Sequence, residues 1–297
     1  MTNPEVTGGL IELPKDARDF SVGAVFDLPP LSELPSTFIV GAPTVKNQQG
    51  SDFCAAESSC SLSEIHEEVE LCPEWVFAVA KDMDGQVDGF GTDLRTICKV
   101  HTKYGAIEAK DAPYSLEKGS GVDFLRRLDN WPTKLFTKAL VHKKGSYFAV
   151  TDSDTDDFDT IRRTMWKFRN EKCGVLFGVR WSWSLSDVYM KTIGNGTGHA
   201  LAMLGWTTQA DGEVYMYIQN SYGPEAGLGG RHYFSRDVIN AFSDRFGCYV
   251  LLDMPKEKAQ YLVDTGTKQG DNWLVSLFKA IKNFLWPNSG NAGSVKA

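Results

Sequence analysis

The sequence predicts an α+β fold, with helices concentrated in the first half of the chain and strands in the second. In the first half, apolar residues recur every three or four positions, which is the spacing of a helix that buries one face. From Gly174 onward, short runs rich in β-branched and aromatic residues are separated by turn residues, which is the pattern of strands. Helices followed by strands are typical of α+β proteins.

The size and charge of the chain limit the functions that it can have. With 297 residues, of which 42% are hydrophobic, the chain can bury a substantial core, and its length suggests two subdomains. The formal net charge of -7 argues against a nucleic-acid surface, because phosphate binding needs clustered Lys and Arg. We therefore expect a peptide or protein partner and no nucleic acid.

The first element is an extended strap. Residues 9–43 are rich in proline next to short apolar groups, a composition that favours extended chain over helix. We assign residues 1–43 to this region. It either straps the surface or acts as an inhibitory segment that blocks the site described below, and both interpretations stay open.

Three helices are predicted next. The first runs from Cys54 to about Val69, because apolar residues recur at helical spacing while glutamates form the opposite face. A second covers about residues 73–83. A third begins with Thr92 as its N-cap and ends at Gly105.

The second half begins with one more helix and continues as strands. Asp156 or Asp157 caps a helix that runs to about Asn170. Alternating and continuous apolar runs then predict strands at 175–179, 199–206, 213–219, 230–234 and 247–252.

Four residues carry the candidate chemistry. Cys54 opens the first helix, and a helix N-terminus together with an imidazolium favours the nucleophilic thiolate. His199 and Asn220 stand on consecutive predicted strands, and they can serve as the base and as the group that orients it. Gln48 precedes Cys54 by six residues and, with the Cys54 backbone N–H, can hold an oxyanion. Together they form a complete acyl-transfer site.

These segments resemble the papain-like C1 family of cysteine peptidases, and the resemblance spans roughly residues 35–253. The motifs are most similar to those of the bacterial and bacteriophage branch. The segment N-Q-Q-G-S-D-F-C-A-A at 47–56 is similar to that branch's D-Q-G-x-x-G-S-C-x-A at the Gln, the Cys and an Ala. G-H-A at 198–200 and Q-N-S-Y-G at 219–223 resemble the family's G-H-A and K-N-S-W-G.

The spacing agrees with this resemblance. Cys54 and His199 are 145 residues apart, within the range of about 130 to 150 that the family shows, and Asn220, at 166, lies a little beyond it. The resemblance implies a peptidase domain at 44–255. Its helical left lobe would cover about 54–135 and its antiparallel, β-barrel-like right lobe about 140–255, with the active-site cleft between them.

The resemblance also implies a set of substrate-binding residues. Asp52 replaces a glycine near the expected P1 side chain, and we expect its charge to favour basic residues there. The Gly89-Phe90-Gly91 stretch resembles the family's glycine stretch that pairs with the substrate backbone, and a plain turn before a helix is the alternative. The complete predicted substrate-binding set is Asp52, Phe53, Gly89, Gly91, Gly198 and Tyr222.

The function that the resemblance implies is that of a cysteine endopeptidase, which forms a thioester acyl-enzyme and requires no cofactor. Two other interpretations stay open. The same triad supports acyl transfer on related amides, such as deamidation. Alternatively, a catalytically silent papain-like fold serves as a binding component of a virion or scaffold.

Two other motifs resemble metal sites. Cys98 and His101 share the apolar face of a predicted helix, which favours core packing over metal binding. Residues 152–156 resemble the start of a calcium loop but lack its glycine and its final glutamate, so we interpret them as a solvated helix cap. We expect no metal site.

The termini and cysteines bear on location. Residues 1–10 lack the basic start and apolar run of a signal peptide, so we expect a cytoplasmic protein, with virion association left open. Ser51 stands where secreted relatives carry a disulfide-forming cysteine, which favours a reducing compartment.

Residues 265–297 form a predicted linker and amphipathic helix. The helix is too short to span a bilayer but could dock on its own domain, on a partner or on a membrane surface. Its apolar stripe consists of Trp273, Leu274, Leu277, Phe278, Ile281, Phe284 and Leu285.

Overall fold

The computed structural model describes residues 8–260, except residues 14, 15, 17, 18, 153, 154, 256 and 259. The predicted C-terminal stripe lies outside these residues. The helices of the described part are α1 Val22–Val25, α2 Cys54–Glu67, α3 Pro73–Asp84, α4 Leu94–Lys103, α5 Val122–Leu125, α6 Leu135–Ala139, α7 Asp157–Lys167 and α8 Arg236–Phe246. The strands are β1 Thr37–Ile39, β2 Ser146–Ala149, β3 Val175–Trp181, β4 Tyr189–Met190, β5 Thr197–Thr208, β6 Val214–Gln219, β7 Arg231–Phe234 and β8 Cys248–Leu252.

The strands form one sheet, and all of the described strands except β1 lie in the second half of the described chain. Their order is β2-β8-β3-β5-β6-β7-β4, and β1 pairs with β5. The pairs are antiparallel except for β4 with β7. Helices followed by this sheet confirm the predicted α+β fold. Among the described helices, none has both the length and the apolar character needed to cross a membrane.

Helix α2 connects the two halves and is almost completely buried. It carries many Ala and Ser residues, whose small side chains let neighbouring helices and strand β5 approach closely. The Ser58 hydroxyl donates to the Ala200 carbonyl on β5 at 3.0 Å. Glu68 adopts the left-handed conformation, with φ of 57°, and ends the helix just before the predicted end at Val69.

The predicted N-cap of the third helix is wrong by one residue. Asp93, not Thr92, caps α4, because its carboxylate accepts the Thr96 backbone N–H at 2.9 Å. The Thr92 backbone pairs instead with the N-terminal segment. The predicted cap Asp156 does accept the Asp159 N–H at the start of α7.

Helix α8 was not among the predicted elements. Val238, Ile239, Phe242 and Phe246 are buried along one of its faces, which packs on the sheet. The strands predicted on either side of α8, at 230–234 and 247–252, concealed this helical spacing, because a short apolar run is compatible with a strand and with a helix.

The strap between residues 19 and 43 is part of the core. Val22, Val25 and Phe26 have no exposed surface, and β1 adds a strand beside β5. Asp19 accepts from Arg95 Nε on α4 at 2.7 Å. This part of the strap therefore stabilises the fold.

A buried ion pair supports the loop before α2. Lys46 Nζ lies 2.7 Å from Glu64 Oε1, and the two side chains are only 7% and 6% exposed. Burial acts against the charge, but the charge and hydrogen bond of Glu64, together with the nearby Glu57 and Cys60, outweigh it and raise the pKa of Lys46. Glu64 also accepts the Leu71 N–H at 2.8 Å.

We expect Lys46→Met to lower the free energy of unfolding by about 3–5 kcal/mol, because it leaves the Glu64 carboxylate buried without its partner. Denaturant unfolding measures the change. Lys110→Met is the matched control, since Lys110 pairs with Glu108 while 73% exposed, and it should leave stability almost unchanged. Equal losses in the two variants would contradict the prediction.

Candidate active site

The fold places the first candidate catalytic residue beside the strand that carries the second. Cys54 is the first residue of α2, and His199 lies in β5. Side chains four residues apart share a helix face, so Cys54 points to the same side as Ser58, which binds Ala200 beside His199. A hydrogen bond from the Ala200 backbone to the Cys54 thiol acts to lower its pKa. The thiol therefore lies next to the strand that carries the histidine.

Asn220, which directly follows β6, orients His199. Its Oδ1 lies 2.8 Å from His199 Nε2 and also accepts the Ser221 backbone N–H at 2.7 Å. A backbone N–H can only donate, so the atom that it reaches is the amide oxygen. That oxygen only accepts, so His199 Nε2 carries the proton and Nδ1 keeps its lone pair. This is the tautomer that can take a proton from a thiol.

Two aromatic rings hold the imidazole. Tyr222 stacks on His199 with ring centroids 4.4 Å apart and planes inclined by 9°. The Tyr222 hydroxyl is 3.1 Å from His199 Nδ1, but parallel rings place it over the face of the imidazole, whereas the Nδ1 lone pair lies in the ring plane. We therefore interpret the contact as stacking. Trp181 meets the same imidazole edge-on, with centroids 5.5 Å apart.

Gln48 is held at both ends of its amide. Its Oε1 accepts the Ser221 hydroxyl at 2.7 Å, and its Nε2 donates to the Ser51 carbonyl at 2.6 Å. The backbone N–H of Gln48 also donates to the Ser221 carbonyl at 2.9 Å. These bonds fix the amide beside the loop that leads into Cys54.

Burial makes both reacting groups neutral in this structure. It raises the pKa of Cys54 to about 12, and the nearby Asp52 charge acts in the same direction. It lowers the pKa of His199 to about 4, against the hydrogen bond that His199 donates to Asn220. At neutral pH the pair is a thiol and an imidazole, so forming the thiolate requires a more open cleft.

Residues 8–11 lie between the two walls of the cleft. The backbone N–H groups of Gly9 and Leu10 donate to the Gly198 carbonyl, next to the candidate base, at 2.9 and 3.0 Å. On the opposite wall, the Thr92 N–H donates to the Gly9 carbonyl at 2.9 Å. The segment runs parallel to the chain at Thr92 and joins the two lobes.

The fit around this segment is tight. A Cβ on Gly9 would lie 2.3 Å from the Asp52 carbonyl oxygen, closer than non-bonded atoms approach. Leu10 is buried. Cys54 and His199 each have 0% exposure, so the candidate catalytic atoms are closed to solvent.

The Asp52 side chain is paired instead of being open to the cleft. Its carboxylate accepts the Gly91 N–H at 2.6 Å and lies 3.3 Å from Arg126 Nη2, and it is 1% exposed. Arg126 balances the negative charge that would attract a basic P1 side chain. The expected P1 preference stays a prediction, and this ion pair opposes it.

The other predicted substrate-binding residues lie in different places. Phe53 is fully buried against Phe77, with centroids 4.4 Å apart, so its side chain serves the core. Gly91 borders the cleft with φ of 64°, and a Cβ there would lie 2.1 Å from the Gly9 carbonyl oxygen. The Gly89 carbonyl faces Arg126 Nη1 at 3.5 Å.

Residues that sequence patterns did not single out also shape the site. No sequence motif includes Arg126, because it lies 74 residues from Asp52 and meets it only in the folded chain. His232 contacts Asn220, and the alternating burial of β7 places it on the inward face with Phe234. An inward histidine in a strand is the signal that could have identified it.

Among the described residues, one group could hold a metal ion, formed by His66, Glu67 and Asp253. Lys144 Nζ contacts His66 Nδ1 at 3.0 Å and pairs with Glu67, so an ammonium group already supplies the positive charge. His101, considered above as a ligand, bonds to Ser59 within the core at 2.9 Å.

Comparison with known proteins bears on the fold. No protein-family model matches the chain, and no curated protein matches it significantly. Similar solved structures include xylellain, a cysteine protease from Xylella fastidiosa, with 17% identity and a TM-score of 0.65 over 83% of this chain and 96% of that one. Bromelain from Ananas comosus, in complex with the E64 inhibitor, has 16% identity and a TM-score of 0.54 over 74% and 99%.

A third similar structure is procathepsin B S9 from Trypanosoma congolense, with 13% identity and a TM-score of 0.56 over 77% and 82% of the two chains. Nothing in these comparisons points to a bacteriophage branch, so that part of the resemblance stays a prediction. At such identities the likeness concerns the backbone alone. The chain therefore has the papain-like fold of these cysteine proteases.

Proposed function

We propose that the chain is a cysteine endopeptidase that cleaves peptide bonds through Cys54, His199 and Asn220. The observation that carries the proposal is the 2.8 Å bond from His199 Nε2 to Asn220, which leaves Nδ1 as a base on the strand beside the buried start of α2. Helix N-termini favour the thiolate form of a cysteine.

The proposed reaction has two halves. His199 Nδ1 takes the Cys54 proton as the sulfur attacks the substrate carbonyl, and the negative charge on oxygen is held by Gln48 Nε2 and the Cys54 N–H. The imidazolium then gives its proton to the leaving amine, and a thioester remains. Water, deprotonated by His199, attacks the thioester and releases the acid and the thiol.

We further propose that residues 8–11 keep this site closed until they leave the cleft. Backbone hydrogen bonds to Gly198 and Thr92, together with the complete burial of the catalytic atoms, support this interpretation. It favours the inhibitory role for these residues, while residues 19–43 act as a structural strap.

Mass spectrometry after treatment with the epoxide inhibitor E-64 and with a peptide library tests the function. We expect one adduct at Cys54 and library cleavage that Cys54→Ala abolishes. The same spectra report the P1 preference, and a gain of about 1 Da on glutamine peptides without cleavage would identify deamidation instead.

The filled cleft favours one second candidate, a silent papain-like protein kept for binding. No adduct and no cleavage, both in the full chain and in a chain that begins at Glu12, would overturn the peptidase proposal and favour this candidate. An adduct in the shortened chain alone would support a peptidase with a blocked cleft.

A further inference from the structure

A second histidine stands behind the candidate catalytic pair. His232 lies on β7, which pairs with β6, and it has no exposed surface. Its Nε2 is 3.2 Å from Asn220 Nδ2, and its Nδ1 is 2.7 Å from the Asp187 carbonyl oxygen. The Trp181 ring packs against its edge with centroids 5.2 Å apart. His232 is thus held rigidly on the side of Asn220 that faces away from His199.

The Asp187 carbonyl fixes the proton positions along the hydrogen bonds that link it through His232 and Asn220 to His199. The Asp187 carbonyl only accepts, so His232 Nδ1 carries a proton and, in a neutral ring, Nε2 is the acceptor. Nε2 therefore takes a hydrogen from the Asn220 amino group, which turns the amide oxygen toward His199. Burial lowers the pKa of His232 to about 4, which agrees with a neutral ring at neutral pH.

We propose that His232 is a positioning residue for the reaction, which acts through Asn220 to hold His199 as the tautomer that accepts the thiol proton. The proposal rests on the peptidase function proposed above. His232 does this without contact with the scissile bond, because its partner is the amide and not the substrate.

The opposite protonation shows why the acceptor matters. A proton on His232 Nε2 would face the Asn220 amino group, and two donors would then meet in a buried place. The Asn220 amino group would lose its acceptor, and the amide oxygen would then orient His199 less strictly. Ser221 also binds the amide oxygen, so the expected loss is that of one hydrogen bond and not a complete reversal of the amide.

Two amide variants separate the two hydrogen bonds of His232. In His232→Gln, the side-chain oxygen can reach the position of Nε2 and keeps the acceptor for Asn220. In His232→Asn, the shorter side chain can reach only the position of Nδ1, so it keeps the donor to Asp187 but loses that acceptor. We expect kcat of His232→Asn to fall about tenfold with KM unchanged, and His232→Gln to stay near wild type.

Nitrogen-15 NMR of the full histidine-labelled chain tests the proposal without relying on peptidase activity. The chain has five histidines, which substitution can assign. We expect His199 to carry its proton on Nε2 in wild type and in His232→Gln, and to show a mixture of tautomers in His232→Asn. If wild type shows these tautomers but cleaves no peptide, the peptidase function fails while the positioning role stands.

Two results would overturn the positioning role. One is a His199 that stays the Nε2–H tautomer, with unchanged kcat, in a folded His232→Asn. The other is a wild-type His232 that carries its proton on Nε2, because that nitrogen could not then accept the hydrogen of the Asn220 amino group. The wild-type spectrum gives this result even if both variants unfold.

Discussion

Deletion of residues 1–11 should raise kcat/KM for a small peptide substrate on the order of 100-fold. Residues 8–11 occupy the cleft with four backbone hydrogen bonds, which Gly9, Leu10, Ile11 and Thr92 donate, and Leu10 is buried there. Each such bond contributes about 0.5–1.5 kcal/mol, and every 1.4 kcal/mol corresponds to about tenfold. Removing the segment opens the site to substrate and water.

The deletion has to end before the structural strap. Val22, Val25 and Phe26 are fully buried, so a longer deletion would remove core residues and destabilise the fold. Gly9→Ala is the single-residue version, because its Cβ would meet the Asp52 backbone at 2.3 Å and should expel the segment. Ile11→Ala, at a position 39% exposed, is the matched control and should change little.

Alkylation of Cys54 by iodoacetamide gives a second measurement. Burial raises the pKa of Cys54 to about 12, so in the intact chain the thiol should react slowly at pH 8 and faster only as the pH approaches that value. Opening the cleft restores solvent, lowers the pKa of Cys54 and should speed alkylation at pH 8. Unchanged turnover and unchanged alkylation in the shortened chain would show that the segment does not block the site.

Gln48→Ala should lower kcat by about 10²–10³-fold with little change in KM, because in the proposed reaction the lost amide donor serves the oxyanion and not the ground-state carbonyl. Steady-state kinetics with the chain that begins at Glu12 provides the measurement. Gln48 Oε1 also accepts from Ser221, so Ser221→Ala should cause a smaller loss of kcat by loosening the amide.

The control for Gln48 is its exposed neighbour. Gln49 has φ of 49°, a conformation that Asn tolerates, so Gln49→Asn should keep both fold and rate. A loss in Gln48→Ala that appears in KM and not in kcat would assign Gln48 to substrate binding and contradict its role at the oxyanion.

Local chemistry explains how much the sequence alone predicted. Helix α2 is recognisable because its periodicity depends only on near neighbours, and the same holds for β5 and β6. The motifs around Cys54, His199 and Asn220 are short and could be read in order. The cap of α4 was misassigned because Thr92 and Asp93 are both good caps, and only the fold shows which of them reaches Thr96.

Distant partners explain what remained hidden. Asp52 had a predictable position near the nucleophile, but Arg126, 74 residues away, balances its charge. The contact of His232 with Asn220 depends on how β7 aligns with β6. The placement of Gly9 depends on the width of the cleft between two lobes, which no local pattern encodes.

Local patterns in the chain predict the α+β order of elements and identify the four candidate catalytic residues, because helix periodicity, strand patterns and short motifs involve near neighbours. Three features become visible only in the folded protein: residues 8–11 fill the cleft, Arg126 pairs with Asp52, and His232 contacts Asn220. These features arise from packing and hydrogen bonds between segments far apart in the chain, so they exist only once the lobes come together.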